Sequence, residues 1–145
     1  MHTDSAASIG YADVLDTQWF SGQWPQDWKV FSIVFQERFP IVKALYLWCE
    51  RLANRYIIFH TDNMSIVNII NSQTSKDILL MYLVCRLAIT TMLYNIMFRV
   101  VHIPGYDNCI ADCLSRFQVQ RAMKLNPLLP THLLPDTIPI PKYFR

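Results

Sequence analysis

The chain has 145 residues, 52% of them apolar, and a formal net charge of only +2. This length is enough for one domain with a hydrophobic core plus a short extra segment, and it excludes two domains of ordinary size. The small net charge excludes a protein that binds nucleic acid through overall composition, although a local basic face is compatible with it.

The cysteines and the N-terminus indicate the compartment. Cys49, Cys85, Cys109 and Cys113 lack paired CxxC spacing and have no histidine cluster beside them, so we expect reduced thiols in the core rather than a zinc site. The N-terminus is polar, without a basic stretch leading into an apolar one, and we therefore expect an intracellular protein without a secretory signal.

Three strands are predicted at the start of the chain. The first segment carries Asp4, and residues 11–24 contain short apolar stretches broken by Asp13, Asp16 and Gly22. This pattern predicts two short antiparallel strands joined by tight turns after the first strand.

A helix is predicted over residues 32–54, followed by a buried strand. Pro40 interrupts the helix pattern, so either the regular part starts near Gln36 or the helix bends there. The next segment, 56–61, is the continuous apolar run expected for a strand covered on both faces, and it ends at Asp62. The apolar positions of the helix recur at steps of four, three and four: Ile41, Leu45, Trp48 and Leu52.

Two more helices are predicted after Asp62. Asn63 or Ser65 caps a short one, and Ser75 caps a long one whose apolar stripe we expect to pack in the core. The length and apolar character of segment 78–98 also suggest a membrane span. Inserting Arg86, near its middle, into a membrane would cost about 2.5–3.5 kcal/mol, so we expect no membrane association. The stripe consists of Ile78, Tyr82, Cys85, Ile89, Met92 and Ile96.

The chain then returns to a strand over 97–103, turns at Pro104-Gly105, and forms a short helix over 109–115. Residues 1–117 are predicted to form the domain, and the proline-rich residues 118–145 a tail or linker. Strands separated by helices imply parallel neighbours, while the opening run of strands implies an antiparallel meander. The predicted fold class is therefore α/β, with a mixed sheet flanked by helices.

Four acids are expected to converge at one edge of this sheet. Asp62 ends a buried strand, Asp4 lies in the first strand, Asp112 follows the last strand, and Glu37 lies in a helix packed on the sheet. Singly, each has an ordinary explanation as a turn residue, a solvated helix position, an N-terminal cap or a dipole-compensating acid.

Clustered carboxylates repel one another unless a cation shares them. Hard oxygen ligands suit Mg²⁺ or Mn²⁺. Two such ions activate a water and stabilise the leaving oxygen when a phosphodiester is cleaved. The four acids therefore predict a nuclease with two divalent ions.

Four blocks of sequence carry a family resemblance. They are Thr3-Asp4-Ser5-Ala6 with Gly10-Tyr11, Glu37 to Val42, His60-Thr61-Asp62-Asn63, and His102 to Gly105 continuing through Asn108, Ala111-Asp112 and Leu114-Ser115-Arg116. In this order they resemble the RNase H domain of DIRS-like retrotransposons, over roughly residues 3 to 116.

The resemblance implies an RNase H-like fold with five strands, and it implies that Asp4, Glu37, Asp62 and Asp112 are the catalytic and metal-binding residues. The implied substrate is the RNA·DNA hybrid formed during reverse transcription. The implied partners in a parent polyprotein are a reverse transcriptase domain upstream and a recombinase domain downstream.

The sequence departs from the family in three places. Only three residues precede Asp4, so the first strand is expected to be truncated. Arg38 stands where relatives commonly have an apolar residue, and it either binds phosphate or is exposed. His102 is a candidate for the family's catalytic histidine, with a structural role as the alternative. We keep both as accessory candidates.

Recognition of a hybrid requires contacts to the 2′-hydroxyls of its RNA strand. Asn63, Ser65 and Asn68, at the start of the short helix, are the candidate donors, with plain capping as the alternative. Two functions stay open: an active ribonuclease H, or a catalytically inactive RNase H-like module that binds nucleic acid or tethers a retroelement remnant.

Overall fold

The structure is a computed structural model and describes residues 1–29, 31–72 and 76–129. Its strands are His2–Ala6 (β1), Gly10–Leu15 (β2), Gln18–Gln23 (β3), Tyr56–Thr61 (β4) and Met97–His102 (β5). Its α-helices are Ile33–Leu47 (α1), Cys49–Leu52 (α2), Met64–Ser72 (α3), Ile78–Leu93 (α4), Cys109–Ser115 (α5) and Val119–Leu125 (α6). The predicted order of strands and helices over residues 1–117 is confirmed.

The strands form one five-stranded mixed sheet in the order β3-β2-β1-β4-β5. β1, β2 and β3 are antiparallel neighbours, whereas β4 is parallel to both β1 and β5. At the β5 edge, the Asn71 side chain accepts from the Val100 N–H and donates to the Val100 carbonyl, both at 3.3 Å. Asn71 thus covers backbone groups that an edge strand would otherwise leave open.

β1 is the central strand and the shortest of the five. It pairs with β2 along its whole length, but its paired positions with β4 are limited to His2 and His60. Met1 adds two hydrogen bonds: its ammonium donates to the Ile58 carbonyl at 3.1 Å, and its carbonyl accepts from the His60 N–H at 2.9 Å. The paired stretch that β1 shares with β4 is therefore short, and Met1 extends it by one residue.

The two faces of the sheet are covered by different helices. On one face, α1 and α4 enclose the larger core, in which aromatic rings stack around Trp28, Phe35 and Phe39. On the other face, α5 and α6 enclose a smaller core with Ala12 and Trp19. The sheet is therefore a central layer between two helical layers.

α1 does not start near Gln36, which was one of the two alternatives that Pro40 suggested. It begins at Ile33, where Ser32 Oγ accepts the Phe35 N–H at 3.3 Å, and it runs through Pro40 to Leu47. The predicted single helix instead ends near Trp48, and the short α2 follows. Packing of Phe35 and Phe39 against the aromatic core holds the turn that precedes the proline.

The predicted core stripe of α4 is wrong. The buried side chains are Leu80, Leu83, Val84 and Leu87, on the other side of the helix. Ile78 is 84% exposed, Met92 81% and Ile89 52%, and Cys85 is exposed as well. Because α4 is apolar on all sides, periodicity alone does not identify its buried face.

The start of α4 also differs from the prediction. Ser75 lies outside the described residues, and the N-cap is Asp77, whose side chain accepts the N–H groups of Leu79 and Leu80. α4 ends at Leu93 and β5 begins at Met97, so segment 78–98 is not one helix. Among the described residues, no helix has both the length and the apolar character needed to cross a membrane.

The cysteines are free, as predicted, but Cys113 alone of the four is buried and Cys85 is exposed.

Helix α6 lies within residues 118–145, where we expected a tail or linker, and its Ala122 is fully buried in the smaller core. Residues 130–145 lie outside the described part of the chain. The division into a domain and a tail stays a prediction.

Asp13 is a buried acid in the middle of β2 rather than a break between strands. It is fully buried, and burial raises its pKa well above the ordinary range, while Thr3, the N-terminal ammonium and Lys43 act in the opposite direction. Lys43 is itself buried, and its Nζ donates to Tyr11 Oη at 2.9 Å. Lys43 thus places a positive charge in the same core as Asp13.

We expect Lys43→Met to lower the free energy of unfolding by roughly 3 kcal/mol, because it removes one of the two cations that act on the buried Asp13, the other being the N-terminal ammonium. Urea denaturation would measure this, with Lys76→Met, at an exposed lysine, as the charge-matched control. Adding Asp13→Asn to Lys43→Met should restore part of the loss. Equal stability of Lys43→Met and the control would contradict the role of Lys43.

Candidate active site

Asp4 and Asp62 lie at the same level of two adjacent parallel strands. Each is two residues beyond the paired positions His2 and His60: Asp4 lies in the middle of β1, and Asp62 directly follows the carboxyl end of β4. The turn at Gly105, which follows β5, lies next to Asp62: a Cβ added to Gly105 would be 3.5 Å from Asp62 Oδ2. The carboxyl edge of the sheet therefore carries two aspartates side by side.

Glu37 reaches this edge from α1. It is only 7% exposed, so the reading of Glu37 as a solvated helix position is wrong. Asn63, directly after Asp62, donates from Nδ2 to Glu37 Oε1 at 3.5 Å. This contact joins the N-terminal half of α1 to the end of β4.

Asp112 reaches the same edge from α5. Arg116 Nε donates to Asp112 Oδ1 at 2.9 Å, and Ser115 Oγ donates to Asp4 Oδ2. The start of α5 is fixed by the buried Asn108, whose Nδ2 donates to the Thr3 carbonyl at 3.0 Å. α5 is therefore attached to β1 on either side of Asp112.

The four acids affect one another electrostatically, with Asp4 at the centre. Burial raises the pKa of Asp4 to about 6, and the charges of Asp62 and Asp112 add to the rise, which the hydrogen bond from Ser115 opposes. Burial raises the pKa of Glu37 to about 8, with contributions from Asp4 and Asp62. The structure thus brings Asp4, Glu37, Asp62 and Asp112 into one negatively charged cluster.

The cluster fits a divalent cation in its chemistry but is not arranged around one. Its donors are hard carboxylate oxygens, which suit such an ion. Two of the acids, Asp4 and Glu37, resist ionisation because they are buried beside other carboxyl groups. Within the ranges that the structure describes, no group of three or more His, Cys, Asp or Glu side chains is placed to hold a metal ion. Asp4, Glu37 and Asp112 instead contact Ser115, Asn63 and Arg116. Each of these hydrogen bonds engages one oxygen of its carboxylate.

The accessory candidates differ in their positions. His102 is exposed at the end of β5, level with Thr61 and thus one residue before Asp62. Arg38 is only 1% exposed, so both of its expected roles are wrong: it is neither a surface residue nor accessible to a phosphate. Arg38 is buried because it lies on the side of α1 that faces the core, a position that an apolar residue usually occupies.

The candidate donors for nucleic acid lie around the start of α3. This helix begins at Met64, directly after the half-buried Asn63, and Asn68 is exposed one turn further on. The side chain of Ser65 lies outside the described part of the structure. Asn63 is engaged with Glu37, so it also positions an acid of the cluster.

The roles of Asn108, Ser115 and Arg116 were not predicted from the sequence. Ser115 and Arg116 follow Asp112 by three and four residues, a spacing that places side chains on one face of a helix. This spacing could have indicated the roles of Ser115 and Arg116. The hydrogen bond between Asn108 and Thr3 joins residues 105 positions apart, so no local sequence pattern indicates it.

Comparisons with known proteins bear on the fold. No model of a protein family matches the chain, and no curated protein matches it. Among solved structures it is similar to RNase H1 from the halophilic archaeon Halobacterium salinarum NRC-1, with a TM-score of 0.56 and 12% identity over 83% of this chain and 96% of that one.

It is also similar to LC11-RNase H1, isolated from compost by a metagenomic approach, with a TM-score of 0.52 and 18% identity over 84% of this chain and 95% of that one. At these identities the likeness concerns the fold. The chain has an RNase H-like fold, as the sequence predicted.

The raised pKa of Glu37 predicts a pH-dependent stability. Because its pKa rises from 4.5 to about 8 in the folded chain, its contribution to stability is fully present below pH 4.5 and is lost as the pH rises towards 8. In metal-free buffer at pH 9, Glu37→Gln should therefore raise the free energy of unfolding by on the order of 2 kcal/mol, and by much less at pH 4.

Urea denaturation across this pH range would measure the difference between Glu37→Gln and the unsubstituted chain. Asp16→Asn is the control, because Asp16 is an exposed acid paired with Arg51 at the opposite edge of the sheet. A difference that does not depend on pH would contradict the assignment to Glu37.

Proposed function

We propose that the chain is a ribonuclease H, a metal-dependent endonuclease that hydrolyses the RNA strand of RNA·DNA hybrids during reverse transcription of a retrotransposon. One observation carries the proposal: four acids from distant stretches, Asp4, Glu37, Asp62 and Asp112, form one electrostatic cluster at the carboxyl edge of an RNase H-like sheet. Ligands of open sheets with parallel strands collect at this edge.

The residues of the chain provide a charged and positioned site. Asp4 and Glu37 are buried, and burial raises the pKa of each, whereas Asp62 is exposed at the edge of the sheet. Two Mg²⁺ or Mn²⁺ ions, when bound by the four acids, would supply activation of a water and stabilisation of the leaving oxygen. Ser115 and Asn63 orient Asp4 and Glu37 through the hydrogen bonds described above.

The start of α3 is suited to hold the hybrid next to these acids. Asn68 is exposed on α3 and can donate to a 2′-hydroxyl, which distinguishes RNA from DNA. The N-terminus of α3 directly follows Asp62 and Asn63, and the dipole of a helix favours a backbone phosphate at its N-terminus. His102 lies on the neighbouring strand end, where it can exchange a proton near Asp62.

Asp62→Asn tests the site most directly, because it removes one charge from an exposed position and keeps the side-chain shape. We expect at least a ~100-fold slower cleavage of a labelled RNA·DNA hybrid in Mg²⁺ or Mn²⁺. Asp16→Asn, the same change at the opposite edge of the sheet, should cleave at the unsubstituted rate. Full cleavage by a folded Asp62→Asn sample would reject the site.

Metal binding has a readout that does not need activity. Because a bound cation would relieve the repulsion among the four carboxylates, millimolar Mg²⁺ or Mn²⁺ should raise the thermal unfolding midpoint at pH 8 by several degrees. The shift should shrink for Asp62→Asn and persist for Asp16→Asn. An equal shift in all three chains would indicate binding elsewhere.

A catalytically inactive module that binds or tethers nucleic acid is the second candidate. It is favoured by the ion pair between Asp112 and Arg116, and by the lack of a ready-made metal group among the described residues. The two candidates separate in one assay: hybrid binding by a folded chain without cleavage or metal-induced stabilisation would support the inactive module.

From the sequence resemblance alone, we also propose a parent retroelement polyprotein of the DIRS-like kind, with a reverse transcriptase domain upstream and a recombinase domain downstream. The genomic reading frame on either side of the coding sequence tests this directly. Frames that encode neither domain would contradict the origin without affecting the proposed chemistry.

A further inference from the structure

The outer face of α4 is an apolar surface with the spacing of a helix-pairing seam. Ile78, Tyr82, Cys85, Ile89 and Met92 follow one another at alternating steps of four and three residues. This is the spacing at which two helices pack along one another in a coiled coil. All of these side chains but the half-buried Tyr82 are exposed.

A groove continues this surface onto the end of α1. It encloses about 470 Å³, and one charge of each sign stands in it, on Arg86 and Glu50. The Arg86 guanidinium lies 5.8 Å from the centre of the Tyr46 ring. The other lining residues are apolar or uncharged: Tyr46, Leu47, Cys49, Ile89, Thr90, Leu93 and Tyr94.

Such a surface is unusual for an isolated domain. Leu93 is 75% exposed beside Met92 at the end of α4, where Met92 is 81% exposed, and Ile78 at the start of the helix is 84% exposed. Apolar patches of more than a few hundred Å² generally mark interaction surfaces, and a specific interface buries about 800 Å² on each partner. A helix that is apolar on all sides is expected to be covered on all sides.

We propose that this face, the α4 seam together with its groove, joins two copies of the chain around a twofold axis. The seam requires a helix of matching spacing, and a second copy presents the same seam, as an isologous interface demands. The groove also offers each copy one acid and one cation, so that Arg86 of one copy can pair with Glu50 of the other. Charge and spacing are thus both self-complementary.

A membrane surface fits this face less well. Helices that lie on membranes carry several Lys or Arg on their polar side, whereas Arg86 is the single charged residue of α4 and the opposite side of the helix is buried in the core. The interface also goes beyond the proposed function, because Glu37 lies in the N-terminal half of α1 and the groove at its C-terminal end.

Sedimentation equilibrium over a concentration series tests the proposal. We expect a dimer of the unsubstituted chain, and Ile89→Glu should raise its dissociation constant by at least ~100-fold. Leu128→Glu is the matched control, because Leu128 is 77% exposed outside this face. Met92→Lys provides a second seam variant should Ile89→Glu fail to fold, as judged by circular dichroism.

The charged pair adds a test specific to the twofold arrangement. Glu50→Arg and Arg86→Glu should each weaken the dimer, and the double variant should restore it. A chain that remains monomeric at all concentrations would overturn the proposal, whether or not it binds lipid vesicles or another protein. Dimers unaffected by either folded seam variant would overturn it as well.

Discussion

The hydrogen bonds around β1 fix the geometry on which the candidate site depends. β1 is the central strand, and it is attached to β2 by full pairing, to β4 through Met1 and His2, and to α5 through Asn108. These attachments set Asp4 beside Asp62 and bring α5 with Asp112 over the strand end. Because the overlap with β4 is so short, the few bonds made by Met1 and His60 have an unusually large share in positioning the site.

The buried acids of the chain differ in whether a buried cation lies near them. Asp13 is fully buried, but Lys43 places a cation in the same core and partly offsets the cost. Asp4 and Glu37 have no such buried cation among the causes of their pKa shifts, since the one cation that acts on Asp4 is the exposed Arg116. Burying acids without such a cation costs stability, and costs of this kind are typical of functional sites.

The sequence predicted the sheet because its strands depend on local patterns. The apolar run of β4 ends at Asp62, and the Pro104-Gly105 turn follows β5, so the positions of both strand ends are visible in the chain. The buried face of α4 and the burial of Arg38 were not predictable in this way. Periodicity selects a face only when the other face is polar, and the stripe starting at Ile78 competed with an equally apolar one containing Leu83 and Leu87.

Helix α1 contributes both to the candidate site and to the groove beside α4. Its N-terminal half carries Glu37 and the aromatic side chains that fix the helix on the sheet, while its C-terminal end forms one wall of the groove beside α4. A contact between two copies through that groove would cover the most exposed apolar surface of α4 without covering Glu37 or its neighbours. The same helix would then hold an acid at the carboxyl edge and a dimer contact at the far end, so that the dimer contact would leave the carboxyl edge of each copy uncovered.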